Sequence, residues 1–319
     1  FKGDLNRAAR QTHRIIPVEL DHSHYYLQYS PYVYYNEHCI VFNQEHKPMV
    51  INKETFTHLL SFIEIFPHYM LGSNADLPIV GGSILTHDHF QGGRYTFPIE
   101  GAEVIQTIKL QNYPTLTIEV MKWPLSTIRV TSSDKAAIVD FSETVLKQWK
   151  MYSLPSLDII SHTGDIPHNT VTPIARRKNS EYQMDLVLRN NRTSEKYPDG
   201  IFHPHQNLHH IKKENIGLIE VMGLAILPAR LKDELELLRA CLLHQSHIED
   251  YAVLEKHQLW YQELEESYVI NEDNVDNIIA ESLTRKFVNV LEDAGVFKMN
   301  EEGIDAFISF VKSFDKKEE

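Results

Sequence analysis

The sequence predicts an α+β protein with a mostly antiparallel sheet and a helical C-terminal region. Two observations support this class. Stretches typical of β-strands follow one another through connections too short for crossover helices, which favours antiparallel pairing. From Pro228 onward, by contrast, the pattern of apolar residues is predominantly helical. A length of 319 residues suggests about two domains of roughly 150 residues each, and we place them at 1–150 and 151–319.

In chain order, residues 24–43 are rich in Tyr, Val and Ile and predict extended structure. Residues 53–66 predict a helix, because apolar residues recur there at three- and four-residue spacing and Pro67 follows. A further strand is predicted through His87 and His89. The other predicted strands are 104–110, 115–122, 126–132, 169–176 and 182–189, and the other predicted helices are 134–151, 228–245, 273–293 and 302–314. Residues 216–227 are apolar enough for a strand, a helix or both in succession.

The composition is that of an ordinary globular protein, with 42% hydrophobic residues, 24% charged residues and a net charge of −13. This acidity argues against non-specific nucleic-acid binding, which requires Lys and Arg to neutralise phosphates. No apolar run reaches the roughly 18 residues that a membrane span needs. Cys39 and Cys241 are too few for a disulfide framework, so we expect a cytoplasmic protein. Because the chain begins at Phe1 without a leader, we also expect it to be a fragment.

The strongest candidate site lies within residues 81–93, where two histidines and a glutamine are flanked by two Gly-Gly pairs. If this segment is a strand, its side chains alternate, and His87, His89 and Gln91 share one face. The glycines allow a ligand to approach backbone N–H groups closely, and Ser83 adds a hydroxyl donor. The pattern therefore predicts a site for a phosphorylated ligand.

This row of side chains suits attack on phosphorus. A neutral imidazole nitrogen can attack a phosphorus atom and form a covalent phospho-imidazole. A neighbouring amide and backbone N–H groups can then stabilise charge on the non-bridging oxygens. A His-x-His pair on a strand is also typical of a metal site or of a solvent-exposed surface, and the flanking glycines favour the catalytic interpretation.

The segment His87-Asp88-His89-Phe90-Gln91 resembles the His-x-His-x-Gln signature of the transferase branch of the histidine-triad superfamily. Residues 72–93 are similar to galactose-1-phosphate uridylyltransferases, and more narrowly to the second bacterial class of that family. Further matching stretches lie at 30–39, 167–176 and 202–207, so the resemblance spans nearly the whole chain. It implies two histidine-triad-like halves. A second His-x-His pair, His203 and His205, is a weak echo of the first.

The resemblance implies a ping-pong exchange in the cytoplasm, as part of galactose metabolism. His89 would attack the α-phosphorus of UDP-glucose, release glucose 1-phosphate and hold a uridylyl group, which galactose 1-phosphate would then take up as UDP-galactose. Gln91 would bind the phosphoryl oxygens, and His87 would be structural. The substrate-binding candidates, from the resemblance or from residue type, are Asn74, Gly81, Gly82, Ser83, Arg10, Arg14, Asn169, Arg176, His203 and His205.

Several points depart from the better-known class of the family or stay open. Asp88 stands where that class has Pro, and the positions of its hexose-contacting Glu and Gln align with Met222 and Pro228. A structural zinc or iron is an open alternative, although the chain has no Cys-x-x-Cys pair, and we assign no metal ligand. We expect a homodimer. The rival functions are a nucleotide-sugar or dinucleotide phosphorylase of the same superfamily and an inactive nucleotide- or metal-binding protein.

Overall fold

A computed structural model describes residues 14–82 and 84–315 of the chain. The strands are β1 Ile16–Leu20, β2 Ser23–Tyr29, β3 Cys39–Asn43, β4 Met70–Gly72, β5 His89–Gly93, β6 Glu103–Ile108, β7 Thr117–Lys122, β8 Thr127–Ser132, β9 His162–Thr163, β10 Ile166–Pro167, β11 Asn169–Lys178 and β12 Glu181–Asn190. The helices are α1 Lys53–Ile65, α2 Lys135–Met151, α3 Leu218–Val221, α4 Arg230–Leu242, α5 Gln258–Ser267, α6 Val275–Ala294 and α7 Glu301–Lys312.

Local sequence signals explain where the two long helices of the first 151 residues begin. The side chain of Asn52 accepts a hydrogen bond from the backbone N–H of Thr55, and the Thr55 side chain completes a capping box for α1. Asp134 caps α2 in the same way, by accepting from the backbone N–H of Ala137. Both predicted helices are confirmed to within one residue at their ends.

Ten strands form one sheet in the order β1-β2-β3-β5-β4-β11-β12-β8-β7-β6. Within the described residues, all nine pairings between neighbours in this sheet are antiparallel. The predicted α+β class with a mostly antiparallel sheet and C-terminal helices is therefore confirmed.

The sheet order contains an internal repeat. β1-β2-β3-α1-β4-β5 is followed by β6-β7-β8-α2-β11-β12, and the two sets of five strands meet at the β4–β11 pair. Each set places its last strand between its third and fourth strands. A division at residue 150 would separate β6–β8 from the strands they lie beside. The domain division stays a prediction, and this topology favours a boundary between β5 and β6.

The two faces of the sheet carry different layers. One face packs against α1, α2 and α7 around the largest apolar core. In the second half of the sheet, the other face packs against α3 and α6 in a second cluster. The remaining helices, α4 and α5, join α6 in a third cluster. Within the described helices, none combines the length and apolar character needed to cross a membrane.

The structure differs from the predicted elements in several places, and the strands β1, β9 and β10 were not predicted. β5 begins at His89, so His87 lies just before the strand rather than in it. Residues 216–227 contain only the four-residue helix α3 and no strand. The short strand β4 and the helix α5 were not predicted. These elements depend on tertiary neighbours, because neither has a long enough periodic pattern of its own.

Candidate active site

The candidate site is built on β5, which lies between β3 and β4 in the sheet. His89 pairs with Phe42 of β3, and Gln91 pairs with Ile40 of β3 and Gly72 of β4. Residues that pair directly share a face of the sheet, so His89 and Gln91 project from the same side, as predicted. Phe90 projects to the opposite side and is buried in the main core.

The imidazole of His89 is held in one orientation. Its Nδ1 lies 2.8 Å from the backbone carbonyl oxygen of His87. Because a carbonyl oxygen only accepts, Nδ1 carries the proton and donates, which leaves the lone pair of a neutral ring on Nε2. Burial lowers the pKa of His89, opposed by this hydrogen bond and by the charge of Asp88. The ring is therefore a neutral imidazole with a free Nε2 near pH 7.

The ring of His87 contacts the backbone of β3 and a second histidine. Its Nε2 lies 2.9 Å from the backbone carbonyl oxygen of Asn43, and its ring packs at 4.6 Å from the ring of His46. Within residues 14–82 and 84–315, no group of three or more His, Cys, Asp or Glu side chains is placed to hold a metal ion. The described residues near His87 therefore do not fit a metal site.

The glycines at 81 and 82 allow a close approach between chain segments. A Cβ on Gly81 would lie 2.3 Å from the carbonyl oxygen of Ala75, and a Cβ on Gly82 would lie 2.8 Å from the amide nitrogen of Asn74. The side-chain oxygen of Asn74 accepts from the backbone N–H of Leu218 at 2.9 Å. Asn74 thus lies against the glycine segment and bonds the second half of the chain, and its role in binding a substrate stays a prediction.

A cavity of about 470 Å³ is lined by residues from both halves of the chain. Ile79 lines it with a φ of 73°, a left-handed conformation that is costly for a β-branched residue and that is often held at functional sites. His203 lines it from the second half and is buried, which lowers its pKa. The remaining lining residues are Pro198, Asp199, Lys213, Glu214 and Asn215.

Arg176 and Asn169 are engaged in structural contacts. Arg176 is buried and bonds Gln183 and Asp185, each at 2.8 Å. The side-chain nitrogen of Asn169 donates to two backbone carbonyl oxygens, and its oxygen accepts from Asn190 at 2.6 Å. All of these partners belong to the protein, so Asn169 keeps no free group for a ligand, whereas Nε of Arg176 is buried without a hydrogen-bond partner.

The other predicted binding residues that the structure describes do not line the cavity, and two more lie outside the described residues. His205 stacks on Tyr197 at 4.2 Å and lies 3.2 Å from the carboxylate of Asp293, so it packs against its own loop and α6. Arg14 is exposed, and residues 14–15 belong to no helix or strand. Arg10 and Ser83 lie outside the described residues. Because His203 and His205 follow β12 in a loop, they do not repeat the position of His87 and His89 at β5.

Sequence reasoning missed a buried polar cluster behind β5. Asp88 accepts from the hydroxyl of Tyr25 at 2.8 Å and from the side-chain amide of Asn43 at 3.2 Å, while Tyr25 also lies 3.2 Å from Nδ1 of His58. These partners are separated from one another by 33 to 63 residues in the chain. No local pattern joins them, and a buried carboxylate requires such donors.

Comparison with known proteins identifies the family. A family model described as "Galactose-1-phosphate uridyl transferase, C-terminal domain" matches residues 61–262. The chain belongs to the galactose-1-phosphate uridyl transferase family. It is similar to proteins named galactose-1-phosphate uridylyltransferase from Clostridium acetobutylicum (55% identical over 313 residues, 98% of this chain and 63% of the relative) and Halalkalibacterium halodurans (50% over 320 residues, 99% and 63%).

The relative from Bacillus subtilis with the same name is 50% identical over 320 residues, 99% of this chain and 62% of its own length. The chain therefore spans slightly less than two thirds of the length of these relatives. Within the family-model range lie β4, β5 and β11–β12, and with them the glycine segment, His89 and the lining of the cavity. The predicted family is confirmed.

Proposed function

We propose that this member of the galactose-1-phosphate uridyl transferase family moves a uridylyl group between UDP-glucose and galactose 1-phosphate through a covalent intermediate on His89. The observation that carries the proposal is the hydrogen bond from Nδ1 of His89 to the carbonyl oxygen of His87. It leaves Nε2 as the free, neutral nucleophile that attack on phosphorus requires. The names of the relatives supply the substrates.

In the first half-reaction, Nε2 of His89 forms a bond to the α-phosphorus of UDP-glucose. The bond from this phosphorus to the oxygen that bridges the two phosphates breaks, and glucose 1-phosphate leaves. The positive charge that develops on the ring is shared with Nδ1–H and the His87 carbonyl oxygen. In the second half-reaction, a phosphate oxygen of galactose 1-phosphate attacks the same phosphorus and regenerates neutral His89. The attacking and leaving groups are alike, so one site serves both steps.

We infer that the phosphoryl oxygens lie against Gln91 and the glycine segment, where backbone N–H groups and an amide can offset their charge. Ile79, which lines the cavity together with His203, lies two residues before Gly81 in the chain. Its volume of about 470 Å³ lies within the usual range for small-molecule sites. We therefore propose it for the sugar phosphate, with His203 as a polar contact.

The test is to incubate the protein with UDP-glucose labelled at its α-phosphate and to look for a protein adduct that is labile to acid and stable to alkali. We expect the label on the unaltered protein and on the matched control His68→Asn, which changes an exposed histidine. We expect none on His89→Asn. A labelled His89→Asn protein would refute the assignment of the nucleophile.

Adding the acceptor separates the rival functions. Release of UDP-galactose on addition of galactose 1-phosphate, but not of inorganic phosphate, supports the transferase. Release of a nucleotide by phosphate supports a phosphorylase. If UDP-glucose binds to the protein but no adduct forms, the protein is a binding protein and the proposed reaction is wrong.

We also propose that the protein works in the cytoplasm as a homodimer. Both cysteines are free and buried, which fits a reducing compartment. Exposed apolar side chains gather before β3, with Tyr32 68% and Val33 78% exposed, and such a patch favours a partner surface. Light scattering should give twice the mass of one chain, and a monomeric mass would contradict the dimer.

A further inference from the structure

His38 lies directly before β3 and is almost fully buried, with 4% of its surface exposed. Its Nδ1 lies 2.6 Å from the backbone carbonyl oxygen of Tyr32. Because that oxygen only accepts, Nδ1 is protonated and donates. The ring also packs against Tyr35 at 4.6 Å and Tyr34 at 5.6 Å. The hydrogen bond of Nδ1 and the two aromatic neighbours hold the ring, so the direction of the other nitrogen is set.

That other nitrogen, Nε2 of His38, lies 3.2 Å from the side-chain oxygen Oε1 of Gln91. An amide oxygen only accepts, so in this contact Nε2 is the donor to Oε1. The amide nitrogen of Gln91 then points away from His38, and the described part of the chain supplies no acceptor for it. His38 therefore decides which end of the Gln91 amide is free.

The choice of end matters because the two ends act oppositely on a phosphoryl group. The NH₂ end donates to a non-bridging oxygen and stabilises charge there, whereas the oxygen end repels it. We propose that His38 is a positioning residue, which holds Oε1 of Gln91 so that the NH₂ group donates to the α-phosphoryl oxygens of the nucleotide. This inference rests on the proposed function and adds a residue to its machinery.

Two substitutions separate positioning of Gln91 from general support of the fold. The amide nitrogen of His38→Asn falls near the place of Nδ1 and keeps the donor to Tyr32, but loses the donor to Gln91. The amide nitrogen of His38→Gln falls near the place of Nε2 and keeps the donor to Gln91, but loses the one to Tyr32. Positioning predicts that the Gln variant is the more active, and a purely structural role predicts the reverse or no difference.

The measurement is the single-turnover rate of adduct formation as a function of UDP-glucose concentration. We expect His38→Asn to lower the maximal rate about 10- to 100-fold, less than the loss of a complete oxyanion donor, while the half-saturating concentration changes less than about threefold. We expect His38→Gln to recover to within about fivefold of the unaltered protein. The melting temperatures of both variants are measured to show that each variant is folded.

A second comparison uses Gln91→Ala as the background. If His38 acts only through Gln91, adding His38→Asn to Gln91→Ala should not slow the reaction further. An equal further slowing, or a Gln variant no faster than the Asn variant, would overturn the inference.

A readout that does not depend on the reaction separates this inference from the proposed function. The ¹⁵N resonance of the Gln91 side-chain NH₂ should shift on addition of UDP-glucose in the unaltered protein and in His38→Gln, and not in His38→Asn. If no adduct forms but this pattern appears, the proposed reaction fails and the positioning role of His38 stands. If the resonance responds alike in all three proteins, the positioning role is wrong.

Discussion

Replacing Asp185 by Asn tests a buried ion cluster in the middle of the sheet. Asp185 is fully buried on β12, and its carboxylate bonds Arg129 through two contacts of 2.7 and 3.0 Å and Arg176 through one of 2.8 Å. Both arginines are almost fully buried. Glu100, 3.8 Å from Arg176, is the other nearby carboxylate. Asp185→Asn keeps the shape of the side chain but removes its charge. The guanidinium groups of Arg129 and Arg176 then have Glu100 as the remaining nearby carboxylate.

The expected cost follows from the burial of the partners. Removing one member of a buried ion pair usually costs about 3–5 kcal/mol, because the remaining charge stays buried without compensation. An unfolding entropy of about 2.1 cal/mol/K per residue gives about 0.7 kcal/mol/K for a chain of this length. The melting temperature should therefore fall by about 4–8 °C.

The assay is calorimetric melting of the unaltered protein, Asp185→Asn and the control Asp305→Asn, which changes an exposed residue in α7. Burial alone would raise the pKa of Asp185, but Arg176 and Arg129 outweigh it and hold this pKa below its ordinary value. The stabilisation is therefore complete above the unfolded pKa of about 3.9 and is lost as the pH falls through the folded pKa. A difference under about 1 °C at pH 7, or one that grows towards acid pH, would refute the reasoning.

Three further predictions concern the site. Because burial lowers the pKa of His89 from 6.5, single-turnover adduct formation should fall to half of its plateau rate only at a pH below 6.5. A rate already halved at pH 6.5 would contradict this. Tyr25→Phe removes the 2.8 Å hydrogen bond to Asp88 and should lower the free energy of unfolding by about 1–3 kcal/mol in urea titrations; no change would show that the bond is dispensable. Gly81→Ala places a Cβ 2.3 Å from a backbone oxygen and should abolish adduct formation, whereas Gly101→Ala, with no atom within 4 Å, should not.

Much of the fold follows from local patterns. α1 and α2 have capping residues and apolar spacing that are visible in the sequence, and the prediction located both to within a residue. The sequence did not predict α5 or the three-residue strand β4, because a short element is stabilised by its neighbours rather than by its own periodicity. The order of the strands could not be predicted either, since β5 lies between β3 and β4 only through long-range pairing.

The candidate site also combines features that the sequence predicts with features that only the structure shows. His89 and Gln91 were identified from two-residue alternation, which the strand geometry preserves. His205, Asn169 and Arg176 have the residue types of a binding site, but most of their polar groups are already used within the protein. Residue type shows what a side chain can bind, whereas only the packed structure shows whether its bonds are already made.

The sequence by itself determined the family and the α+β class and predicted the candidate residues on β5, because these depend on residue identity and on short-range spacing. The tertiary structure decided that His89 presents Nε2, that His38 holds Gln91 and that Asp88 is bound from behind by Tyr25. The partners of Gln91 and Asp88 are 45 to 63 residues away along the chain. Only folding brings them within hydrogen-bond distance, where orientation and protonation are set.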